Sequence, residues 1–201
     1  MNALLNRAGA LPLHHDDDGI TLVELIVGIL VAGLFSGMLA MMFINGWNSQ
    51  QLSVARDSAT GQANLVRTTL ADSLRNATAV RVSGGGSRVD AVVGKVGTSL
   101  SGWAWECRAW ALHDDSIRYS AGTTARGTDV AAWAVLAGKS DDRPLDRVTG
   151  TLSGVPFKLT GTKGVQFGID VRSGTDAQTV SLSGGMTAQA VATEGAPTCW
   201  T

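Results

Sequence analysis

Glu24 has the most unusual setting of any side chain in this sequence: a single carboxylate at the mouth of a long apolar run. From Leu25 to Ile44 the chain reads LIVGILVAGLFSGMLAMMFI, without a charge and with Ser36 as its one hydroxyl. Twenty residues at about 1.5 Å rise span roughly 30 Å, the thickness of a bilayer's hydrocarbon core. A carboxylate within such a segment costs up to about 3 kcal/mol at its centre and less near an end. It therefore needs a positive partner, and the nearest one is an α-amino group created by cutting the chain after Gly19.

Other groups with chemical potential are weaker. His113 stands beside Asp114 and Asp115 in a segment that reads as a solvated turn. His14 and His15 precede Asp16, Asp17 and Asp18 in the hydrophilic stretch ahead of Gly19. Asp141, Asp142 and Asp146 gather near Pro144 without the spacing of an EF-hand and read as a polar loop. Gly94-Lys95 lacks the upstream glycine and following hydroxyl of a phosphate loop, and no Gly-x-Ser-x-Gly sequence or zinc-spaced histidine pair occurs. The expectation is a chain that is not an enzyme, with no cofactor and no metal. The formal net charge is -1, and a leader with Arg7 against three aspartates leaves the rest near +1. Such a balance gives no electrostatic case for nucleic-acid binding.

The stretch Gly19-Ile20-Thr21-Leu22-Val23-Glu24-Leu25, with the apolar run in register behind it, resembles the cleavage and methylation signal of type IV pilin-like proteins. The resemblance covers about the first quarter of the chain. It implies that a prepilin peptidase cuts after Gly19 and methylates Ile20, and that Glu24 neutralises the amino terminus of a neighbouring subunit. Two departures stand out. The first mature residue is Ile20 where phenylalanine is commonest, and the leader ends in His14-His15-Asp16-Asp17-Asp18 rather than in basic residues. Acidic leaders are similar to those of high-GC Gram-positive prepilins. A secretory signal peptide would carry a shorter apolar stretch of about 7–15 residues and a small-residue cut site behind it. A plain single-span anchor would leave Glu24 unexplained.

The elements that position these residues follow from periodicity. Leu52, Ala55, Ala59, Ala63, Val66, Leu70, Leu74 and Ala77 recur at three- and four-residue steps, while Gln51, Arg56, Asp57, Gln62, Arg67, Asp72 and Arg75 occupy the other faces. No proline interrupts from Ile20 to Val80, so one helix is expected from about Ile20 to Ala77. Gly33 and Gly37 form a Gly-x-x-x-Gly pair within the span, the kind of spacing that lets helix backbones approach in lipid. Trp47 suits the membrane–water boundary.

The head is expected to begin after Val82, with Gly84-Gly85-Gly86-Ser87 as a flexible connector. Trp103, Trp105, Cys107, Ala109 and Ala111 alternate with Ala104, Glu106, Arg108, Trp110 and Leu112 as a strand. His113-Asp114-Asp115-Ser116 then turns the chain into a second strand at Ile117-Arg118-Tyr119. Further strands are expected over 157–159, 165–171, 179–182 and 186–191, and 131–136 reads equally as short helix or strand. The order of these segments is similar to minor pilins and pseudopilins with larger heads. The expected fold is α+β, a long amino-terminal helix packed on an antiparallel sheet. Its parts are a leader (1–19), a transmembrane and assembly half-helix (20–45), an amphipathic half-helix (46–80) and a β-rich head (81–201).

An exported head sits in an oxidising compartment, which favours a Cys107–Cys199 bridge. The bridge would staple the tail around Gly195-Ala196-Pro197; the alternative is two thiols buried as small hydrophobes. The resemblance implies a minor pilin or pseudopilin anchored in the cytoplasmic membrane with its head outside, moving to a pilus or the cell surface on assembly. Its implied partners are the prepilin peptidase, other pilin subunits, a membrane assembly platform and membrane lipid. Within that reading stand adhesion or twitching pili, competence pili and type II secretion pseudopili. The rival of another class is a monomeric membrane-anchored module whose head binds a surface ligand.

Overall fold

A computed structural model describes residues 19–96, 103–174, 179–191 and 198–200. Helix α1 (Leu22–Arg75) is followed by β1 (Ala77–Ser83), β2 (Arg88–Val96), β3 (Trp103–His113), β4 (Ser116–Gly122), β5 (Ala134–Gly138), β6 (Arg147–Gly150), β7 (Phe157–Thr160), β8 (Gly164–Arg172) and β9 (Val180–Thr187). The chain divides into two compact units at Trp47/Asn48. The leader up to residue 18 and the tail segment 195–197 lie outside the described residues.

The helix is shorter than its periodicity suggests, by two residues at each end. At the start, Thr21 takes the cap. At the finish, Ala77-Thr78-Ala79-Val80 begins an alternating, β-branched segment, and strand pairing with β2 overrides the helical period. Ala77 fits both periods, which is why the expected amphipathic segment 46–80 ran on into β1. The apolar stripe is also shorter than expected, because Leu52 is exposed and burial begins in earnest at Ala59. Ala59, Ala63, Val66, Leu70 and Leu74 are buried, three to four residues apart, along the face that packs on the sheets.

Strands β1 to β5 form an antiparallel meander in chain order. In the second sheet β6 and β7 share one edge of β8, and β9 runs along the other. The main core is common to the helix and both sheets: Val66 and Leu70 meet Val89, Trp110 and Ile117 of the first sheet and Phe157, Phe167 and Ile169 of the second.

Four sequence expectations change. The glycine run at 84–86 is a tight 3-10 turn closing the β1–β2 hairpin, not a flexible connector between helix and head. All three glycines take positive φ there, a conformation that costs other residues more. Strands β1, β2 and β6 went unread in the sequence, since the first two flank that glycine run and the third is four residues long. The strands expected over 179–182 and 186–191 are replaced by one, β9, which runs through Gly184 and Gly185 and ends at Thr187, so 188–191 are not strand. A Cβ at Gly184 would lie 2.8 Å from the Phe167 ring, so this glycine makes room for an aromatic side chain rather than a turn. Segment 131–136 resolves into both of its readings, a 3-10 turn at Val130–Ala132 and then β5. The hairpin around Asp114 and Asp115 is as expected, with both residues in the left-handed region that suits a two-residue turn.

Candidate functional site

Helix α1 begins with a side-chain cap. The Thr21 hydroxyl accepts a hydrogen bond from the Glu24 backbone N–H at 3.3 Å, and the Thr21 carbonyl accepts the Leu25 N–H at 3.1 Å. Glu24 is therefore the third residue of the helix, exposed, in the first turn where a negative charge complements the helix dipole. That benefit is about 0.3–1 kcal/mol. Near the end of an apolar segment a carboxylate costs less than the roughly 3 kcal/mol of its centre, and the cap offsets part of that cost.

Beyond Glu24 every side chain up to Gln51 is exposed, among them Leu25, Ile29, Leu34, Phe35, Met38, Met42 and Phe43. The most apolar window has a mean hydropathy of 2.4, and none of it is buried. This helix is long and apolar enough to cross a membrane, near the amino terminus. Phe43 and Trp47 stack with ring centroids 6.4 Å apart at the end of the apolar run. A Cβ built on Gly33 or Gly37 would meet nothing within 4 Å, and the same holds for Gly28 and Gly46. Among the described residues nothing places a steric demand for glycine there.

The rear half of α1 is held by two polar anchors. Gln62 is 6% exposed, on the buried face rather than the polar face expected for it. Its Oε1 accepts the Gly138 N–H at 2.7 Å, and its Nε2 donates to Asp146 Oδ2 at 2.7 Å. Asp146, expected in a polar loop, is 4% exposed. Its other oxygen accepts Ser173 Oγ–H at 2.9 Å and the Gly174 N–H at 3.0 Å. Three donors therefore satisfy one buried carboxylate, and one side chain of α1 joins the ends of β5 and β8 to the loop before β6. Asp141 and Asp142 of the same expected cluster stay exposed. Three turns along the helix, Arg108 donates to Ser73 Oγ at 2.9 Å and pairs with Glu106 at 2.7 Å. Sequence reasoning missed both anchors, because a polar residue within an apolar period reads as a break in the stripe. The available signal was the spacing of Gln62, three residues after Ala59 and four before Val66, which puts an amide on the packing face.

Burial raises the Tyr119 phenol above its ordinary pKa of 10.0; Arg108 opposes the shift and Glu106 adds to it. The ring lies 5.2 Å from that of Trp110, centroid to centroid.

Cys107 and Cys199 form a disulfide across 92 residues. Both are buried with Val92, and Trp105 and Trp200 pack against them. The bridge ties residues 198–200 to the outer face of β3. The rest of that face is covered by the segment leading into β5, where Trp133 packs on Ala109 and Ala111 and Arg88 lies 5.0 Å from the Trp133 ring. In the His113 turn, Asp114 pairs with Lys139 at 3.1 Å and Asp115 lies 3.8 Å from Arg147. Among the described residues no group of three or more His, Cys, Asp or Glu is placed to hold a metal ion.

The structure thus leaves Gly19, Ile20 and Glu24 at one end of an uncovered apolar helix and joins Cys107 to Cys199, while Gln62, Asp146, Ser73 and Arg108 add two anchors that the sequence did not announce. Comparison of the chain with protein-family models, with curated proteins and with solved structures finds no match.

Proposed function

We propose that this chain is a minor pilin or pseudopilin, a membrane-stored subunit that is cleaved after Gly19, methylated at Ile20 and drawn into a thin filament through its helix. The observation that carries the reading is the Gly19-Ile20-Thr21-Leu22-Val23-Glu24-Leu25 signature in register with an uncharged run of twenty residues. The exposure of every side chain from Leu22 to Trp47 is consistent with it, since such a surface requires lipid or other helices around it. In this reading Gly33 and Gly37 lie in helix contacts and the head is held outside the cytoplasmic membrane. The chain meets the prepilin peptidase, the assembly platform and other subunits in turn.

Mass spectrometry of the membrane-purified protein tests this. The expected mature chain begins at methylated Ile20, and Gly19→Ala retains the leader. A terminus mapped beyond the apolar run would overturn the reading.

A further inference from the structure

Among the described residues strand β9 is an edge strand without the usual protection. Among the described strands it pairs with β8 alone, in continuous register from Val180 to Thr187. Monomeric proteins blunt such edges with lysine, proline, a bulge or a covering element. The sequence VSLSGGMT has no charge and no proline, and the pairing shows no shift.

The direction of its backbone groups follows from one hydrogen bond. Ala188 N–H donates to Lys163 C=O at 2.9 Å, directly across the ladder. Alternation in an antiparallel pair then turns residues 180, 182, 184 and 186 toward β8 and leaves the N–H and C=O of Ser181, Ser183, Gly185 and Thr187 facing away. Two concavities meet at that edge. One, of about 610 Å³, lies beside Thr160, Lys163, Gln166, Ser183 and Thr187; the other, of about 290 Å³, lies between Ala71 and Arg75 of α1 and Gly185–Thr187. Both include Gly185, Met186 and Thr187, the first reaching that segment across β7 and β8 and the second from the side of α1.

Among the described residues the charges lining these two concavities are of one sign: Lys163 lines the first and Arg75 the second, both exposed, and no carboxylate lines either. We propose that the free edge of β9 binds an extended, acidic segment of a partner protein by strand addition, with Arg75 and Lys163 reading its carboxylates. Backbone pairing supplies affinity in this mode, and the flanking side chains supply selectivity. The proposal rests on the head alone and is independent of the filament reading.

The test uses the detergent-solubilised full chain and a synthetic peptide, Glu-Val-Thr-Val-Glu-Val-Thr-Val-Glu, beside a version with lysine for each glutamate. The acidic peptide is expected to slow amide exchange at Ser181, Ser183, Gly185 and Thr187. It should bind at least tenfold more tightly than the lysine version. Ser183→Pro removes one outward N–H without touching the β8 ladder, a place where an edge strand tolerates proline. It should weaken binding at least tenfold while the unfolding midpoint stays near wild type. Arg75→Glu with Lys163→Glu should reverse the peptide preference, and this arm stays decisive if Ser183→Pro misfolds. Unchanged exchange at β9 with millimolar peptide would overturn the proposal, as would equal binding of the two peptides. Protection that rises with chain concentration alone would name a second copy as the occupant and likewise overturn it.

Discussion

The Gln62–Asp146 contact permits a test in which two damaging changes are expected to cancel. The orientation of the Gln62 amide is fixed by its partners, since Gly138 offers an N–H and Asp146 a carboxylate oxygen. Asp146→Asn keeps an acceptor for Ser173 and Gly174 but turns an NH₂ toward the Gln62 NH₂. Either those two donors face each other, or Gln62 flips and leaves the Gly138 N–H opposed. A buried donor without an acceptor costs about 1–3 kcal/mol, so the single change should destabilise by about 2 kcal/mol. Gln62→Glu alone sets two carboxylates at the 2.7 Å separation now held by a hydrogen bond, and should cost about 3–5 kcal/mol. Together the two changes restore the bond between positions 62 and 146 and the bond to Gly138, and the Ser58 hydroxyl, which accepts from Gln62 Nε2 at 3.3 Å, can donate instead. The new amide at position 146 would donate to the new carboxylate at position 62, whose second oxygen would accept the Gly138 N–H. The double variant should therefore lie within about 1 kcal/mol of wild type, a coupling of roughly 3 kcal/mol or more. Urea unfolding of the full chain in detergent, followed by tryptophan fluorescence, measures all three. Additive losses in the double variant would show that the two side chains do not bond as described.

Three further outcomes are expected. Glu24→Ala and Glu24→Gln should leave cleavage and membrane insertion largely intact while reducing entry into filaments, measured as cleaved chain in membranes against chain in sheared filaments; entry at wild-type level would refute the pairing role. The Cys107→Ser, Cys199→Ser chain should lose about 4–5 kcal/mol in the chain-entropy account of a 92-residue loop, read by the same urea titration, and non-reducing peptide mapping should link the two residues in the native protein. Tyr119 is the single tyrosine of the chain, so ultraviolet titration of tyrosinate reports it alone, and its midpoint should lie above 10. Because the folded value is the higher one, this group's share of stability is intact below pH 10 and is lost as pH rises through the folded value; Tyr119→Phe should flatten that part of the profile.

Much of this molecule is legible in the sequence because some signals are local. A charge-free run of twenty residues needs no tertiary information to be read as a spanning helix, nor do the two aspartates that turn β3 into β4. The Gly19–Leu25 signature is equally local, and so is the expectation that a long helix precedes β structure. Other features depend on what lies opposite. Ala77 satisfies the helical and the strand period alike, and pairing with β2 decides between them. Gly184 and Gly185 look like a turn until Phe167 is seen beneath the first of them. Gln62 and Asp146 are 84 residues apart, each unremarkable for a surface, and become a buried anchor only when helix, β5 and β8 converge on them. Composition and period determine which segments become helix or strand. Which polar groups enter the core is decided only by the tertiary structure, because a buried donor or carboxylate is tolerable only where distant parts of the chain bring its partners.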